Sequence, residues 1–115
     1  MASTTTTRFM TPGYGDATAR TTEVQFACPV TGTLRNMYVR VGGAVGDGDN
    51  VVYTLRKAGA DTALVITLAS NVANGSNIVN TVAVTAGDLL SMKVTKALSI
   101  TTAITDVLVT CDIQQ

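Results

Sequence analysis

From about residue 22 onward, apolar side chains recur at every second position, the period of a strand with one buried face. Val24, Phe26 and Cys28 alternate with Glu23, Gln25 and Ala27, and Pro29 ends that run. After Gly32, Met37, Val39 and Val41 face one side and Asn36, Tyr38 and Arg40 the other. Val51, Tyr53 and Leu55 mark a third strand, and Leu64, Ile66 and Leu68 a fourth, with Ala58-Gly59-Ala60-Asp61 as the hairpin between them. Asn74-Gly75 reads as a turn into a strand with Ile78, Val82 and Val84 inward, and Ala86-Gly87-Asp88 as a turn into Leu90, Met92 and Val94. The final strand sets Val107, Val109, Cys111 and Ile113 against Asp106, Leu108, Thr110 and Asp112. No stretch has a helical period. Seven strands, or eight if part of the N-terminal segment pairs, predict an all-β antiparallel β-sandwich of jelly-roll type.

Residues 1–21 lack this pattern and form an expected extended N-terminal arm ahead of a β-sandwich domain at 22–115. Thr4-Thr5-Thr6-Thr7 offers nothing to bury, and Pro12-Gly13-Tyr14-Gly15 reads as a turn or open loop. Arg8, Phe9, Met10 and Tyr14 stand out in this polar setting. A frayed terminus is one reading; the other is an arm that becomes ordered by laying these side chains on a neighbouring chain.

Composition narrows the chemistry. The 115 residues are 46% hydrophobic and only 4% aromatic, without Trp or His, which suits pleated β structure and removes the commonest general base and zinc ligand. Eight basic residues balance eight acidic ones, so the basic footprint of a nucleic-acid binder is missing. No run is long enough to span a bilayer, and Met1 to Arg8 has no apolar signal core, which sets the expectation of synthesis in the cytoplasm.

Three stretches carry a resemblance: Gly32 to Val41 (GTLRNMYVRV), Val52 to Leu64 (VYTLRKAGADTAL) and Val82 to Val94 (VAVTAGDLLSMKV). They resemble the β-sandwich domains of tailed-bacteriophage virion proteins, among them capsid decoration (cement) proteins and fibre or tip domains. The resemblance spans about residues 22–113. Ala58 departs from it, since Asn is common before the turn glycine. The resemblance implies a structural protein on the outer surface of the virion capsid that binds the major capsid protein and itself, as a homotrimer, with no nucleic-acid or membrane partner. The arm and the short chain favour a decoration protein; the alternative is a receptor-binding or fibre-tip domain that recognises host-surface glycans.

Other motifs weigh little against this. Gly46-Asp47-Gly48-Asp49-Asn50 has clustered carboxylates but lacks the alternate spacing and distal Glu of a calcium loop. Asn74-Gly75-Ser76 fits a glycosylation triplet but reads more simply as a turn. With no His and a single Glu, Glu23, no catalytic constellation is expected, nor any metal or cofactor. Arg35, Tyr38, Arg40, Tyr53 and Arg56 would share outward or edge positions on two strands, and Arg and Tyr concentrate energy at interfaces. Cys28 and Cys111 fall on the first and last strands of the domain, which jelly rolls often place side by side, and both on the inward face. They are either joined as a disulfide or two buried thiols, the state a reducing cytosol favours.

Overall fold

The structure is a computed structural model that describes residues 23, 25–42, 50–69, 71–96 and 108–115, with 7–10 as backbone. Tyr14, the Pro12–Gly15 turn, Val24, the Gly46–Asp49 loop and Val107 lie outside the described residues. Within them the chain forms nine strands and no helix: β1 (Thr7–Met10), β2 (Phe26–Ala27), β3 (Gly32–Arg40), β4 (Val51–Lys57), β5 (Ala60–Leu68), β6 (Asn74–Asn77), β7 (Val82–Val84), β8 (Leu89–Lys96) and β9 (Leu108–Gln114).

All pairings are antiparallel and build two sheets. In the first, β8 and β4 are central and β5 is an edge, while β1 and β2 lie end to end along the other side of β8. In the second, β3 is central; β6 and β7 share one flank and β9 takes the other. Alternation puts Val51, Tyr53 and Leu55 of β4, Leu64, Ile66 and Leu68 of β5, and Leu90 and Val94 of β8 into one core with Leu34, Met37 and Val39 of β3. Each fully buried Leu, Val or Met removed from water stabilises the fold by about 1.5–3 kcal/mol, so this two-sided core dominates the energetics.

One irregularity sets the phase of β3. Leu34 and Met37 both point inward although three positions separate them, because β3 carries one extra residue against β9 between Arg35 and Tyr38. Asn36 sits there with φ of 52°, a left-handed conformation that Asn tolerates better than most side chains. A second irregularity, opposite Leu55, is closed by Thr62: its Oγ1 donates to the Leu55 carbonyl at 2.7 Å and accepts from the Leu64 amide at 3.3 Å.

Several expectations need correction. Asn74-Gly75 is not a turn but the start of β6, pairing with Arg40 and Val39. Gly75 is needed for closeness, since a Cβ there would stand 2.8 Å from Leu68 Cδ2 and 2.9 Å from Ile66 Cγ2. Ile78, expected inside, is exposed in the β6–β7 turn. The first and last strands of the domain are not neighbours: β2 lies in one sheet and β9 in the other. Cys28 is buried as expected, but Cys111, which stands opposite the Asn36 bulge between the partly buried Val109 and Ile113, is exposed. Both thiols are free; Cys28 Sγ lies 3.2 Å from the Val30 carbonyl and Cys111 Sγ 3.3 Å from that of Arg35.

Candidate contact surface

The five residues expected to share a contact face divide three ways. Arg35, Tyr38 and Arg40 project from the outer face of the β3 sheet. Their cross-strand partners on β9 are Asp112, Thr110 and Leu108 respectively. Arg35 Nε is 3.2 Å from Asp112 Oδ2, an exposed pair of small energetic weight. Between them lies an open apolar surface, with Tyr38 51% and Leu108 61% exposed. The two are diagonal neighbours across an antiparallel pair, close enough for an aromatic ring and a leucine to act as one patch.

Tyr53 does not belong there. It is fully buried on the inner face of β4, and among the described residues its hydroxyl has no hydrogen-bond partner. Burial pushes its phenol well above the usual range, so it stays neutral at any physiological pH.

Arg56 is outward but on the other sheet, and its guanidinium is engaged. Nε donates to Glu23 Oε1 at 3.0 Å, Nη1 to Asp61 Oδ1 at 2.7 Å and Nη2 to the Gly59 carbonyl. Glu23 Oε1 also accepts from the buried Ser91 hydroxyl, and Lys93 Nζ donates to Asp61 Oδ2 at 2.6 Å. The Lys93 hydrogen bond first, then the charges of Lys93 and Arg56, hold the Asp61 carboxyl below the usual carboxylate range. This network ties the segment before β2 and the β4–β5 hairpin onto β8. Its chemistry is structural rather than recognitive, since the donors of Arg56 are directed at the protein's own groups.

The hairpin itself is tight: Ala58 and Gly59 have φ of 51° and 77° between the paired residues Lys57 and Ala60. Two successive positive φ values are those of a type I′ turn, which Asn-Gly fits best. Alanine therefore occupies a left-handed position without a side chain that favours it.

A second polar hub was not read from the sequence. Asn77 ends β6, and its Oδ1 accepts from the amides of Val79 (3.3 Å) and Asn80 (3.0 Å). Its Nδ2 donates to the Val65 carbonyl on β5 at 3.0 Å and to Asn80 Oδ1 at 3.1 Å, with the Ala63 carbonyl at 3.4 Å. The amide thereby folds the turn and fastens it to the opposite sheet. The tip it holds out is apolar: Ile78 is 60% and Val79 84% exposed. The sequence signal was present, an Ile-Val pair bracketed by Asn77 and Asn80, but apolarity alone pointed inward.

The backbone of Thr7–Met10 pairs with Thr95 to Met92 of β8 in the same chain. The stretch bearing Arg8, Phe9 and Met10 is therefore an edge strand of the chain's own sheet, the added strand expected if part of the N-terminal segment pairs. Among the described residues no three His, Cys, Asp or Glu side chains gather as a metal-binding group. No family model matches this chain, and neither does any curated protein or solved structure compared with it.

Proposed function

We propose that this chain is a structural virion protein of the capsid decoration type, which binds the assembled shell of a tailed bacteriophage in many copies and stabilises it through subunit contacts. The observation that carries the reading is the resemblance of Gly32–Val41, Val52–Leu64 and Val82–Val94 to such domains, three stretches that coincide with β3, the β4–β5 hairpin and the β7–β8 pair. The body is read as a β-sandwich of jelly-roll type, supported by a chain that crosses between the sheets at β2–β3, β3–β4, β5–β6, β7–β8 and β8–β9. The protein works by linkage rather than catalysis: whatever binds the assembled shell and not its separate parts stabilises the shell by mass action. With a net charge of zero, long-range steering contributes little and contact area matters more.

The test is saturation binding of the purified chain to phage shells stripped of it, read by co-sedimentation. Saturable occupancy at a fixed ratio to the major capsid protein is expected; an absence of saturable binding overturns the proposal. Deletion of residues 2–15 is expected to abolish binding. Because the deletion also removes β1, circular dichroism must show the body folded, and the full chain carrying Phe9→Ser and Met10→Ser supplies a gentler version. Wild-type occupancy by both variants removes the arm from the shell contact.

A further inference from the structure

β5 is an edge strand whose own sequence carries none of the usual protection of an edge. Among the described residues it pairs within its sheet with β4 alone, so its other side offers a row of backbone groups to any strand that can reach it. Natural sheets blunt such edges with charge, proline or a bulge. Residues 62–68 read TALVITL, without a charged residue, proline or glycine. High β-propensity, apolar side chains and no charge are also the signature of segments that stack into cross-β assemblies. The strand best suited to extend this edge is therefore another copy of β5.

Protection comes from the opposite sheet. Asn77, the last residue of β6, places Nδ2 3.0 Å from the Val65 carbonyl and 3.4 Å from the Ala63 carbonyl. These carbonyls stand at alternate positions of β5, the spacing at which one edge of a strand bonds a neighbour. One amide thus takes up two successive acceptors. Its reach depends on β6 running close beside β5, where a Cβ at Gly75 would stand 2.8 Å from Leu68 Cδ2 and 2.9 Å from Ile66 Cγ2. The amide is also held in place from behind, because Oδ1 accepts from the Val79 and Asn80 amides.

We infer that Asn77 guards the free edge of β5 and keeps a second copy of this chain from adding its own β5 there. The guard is independent of the decoration role and operates whether or not the chain binds a shell.

Sedimentation velocity and thioflavin T fluorescence of the full-length chain, followed with concentration under native conditions, test the inference. Asn77→Ala strips the two carbonyls of their donor. Asn77→Ser does the same while keeping an oxygen for the turn amides, and it decides the matter should the alanine variant fail to fold by circular dichroism. Both are expected to grow open-ended, thioflavin-positive assemblies at concentrations about tenfold or more below those the wild type needs, since about one to two net hydrogen bonds of protection are lost. Lost stability also promotes aggregation, so two further variants separate the causes. Leu90→Ala lowers stability from the buried side of β8, across β4 from β5, and should keep the wild-type size. Thr67→Lys, added to either Asn77 variant, sets a charge on the edge at an exposed position. It should suppress growth without restoring the melting temperature. Wild-type behaviour of the folded Asn77 variants overturns the inference. So does equal growth by Leu90→Ala, or growth that Thr67→Lys leaves unchanged.

Discussion

Arg56 and Asn77 are both polar hubs that tie a turn to its surroundings, but they use opposite means. Arg56 does it with charge, gathering Glu23, Asp61 and the Gly59 carbonyl, with Lys93 also bonded to Asp61, on the outer face of β4 and β8. Asn77 does it with a neutral amide inside a segment free of ionisable groups, and holds apolar side chains outward. An ion network of this kind is screened by salt and responds to acid, whereas amide hydrogen bonds to backbone are nearly indifferent to both. The first region closes a surface; the second keeps one available.

The largest expected effect separates the two hubs most clearly. Asn77→Ala removes a set of hydrogen bonds at once and should cost about 2–3 kcal/mol in urea unfolding, with each bond worth about 0.5–1.5 kcal/mol net. That loss should be the same at low and high salt. Arg56→Met keeps much of the aliphatic stem and removes the charge. It should cost about 1–2 kcal/mol at low salt, with the gap from wild type narrowing as salt is added. Salt-independent loss at Arg56, or salt-dependent loss at Asn77, would erase the contrast.

Ala58→Asn addresses the hairpin beneath Arg56. Since Ala58 occupies φ of 51° and a left-handed conformation costs a residue with a Cβ about 1–2 kcal/mol, asparagine should raise stability by about 1 kcal/mol. A melting temperature that stays put or falls would mean the turn is not of this type. The smallest effect is acid sensitivity. Asp61 is held below its unfolded value of about 3.9, so its contribution is present above that pH and is lost as pH falls through the lower folded value. Stability should therefore decline below about pH 4, and Asp61→Asn should flatten that part of the profile. Asp88, lowered first by the Thr85 amide and then by Lys57, leaves a residual slope in the same window.

Much of the body was legible because strand alternation survives wherever pairing is regular. Val51, Tyr53 and Leu55, then Leu64, Ile66 and Leu68, then Leu90 and Val94 all lie where a period of two puts them. The failures share a cause, which is that pairing partners are chosen by tertiary structure. Asn74-Gly75 carries the strongest short hairpin signal, yet Gly75 serves to let β6 approach Leu68 and Ile66. Cys111 shares the parity of Val109 and Ile113, yet it stands opposite the Asn36 bulge, which alternation within β9 does not reveal, and is exposed. Of the candidate contact residues, Tyr38 and Arg40 are readable from alternation on β3. Tyr53 follows the inward stripe of Val51 and Leu55 rather than the outward face, and the exposure of Ile78 and Val79 depends on the turn that the Asn77 amide folds, which apolarity alone does not signal.

The central claim is a role in a repeating viral shell, and the number of copies per particle tests it most directly. Quantitative mass spectrometry of purified virions should find this chain in a fixed, high ratio to the major capsid protein. Its absence from particles, or its presence in only the few copies that a tail tip carries, would contradict the account.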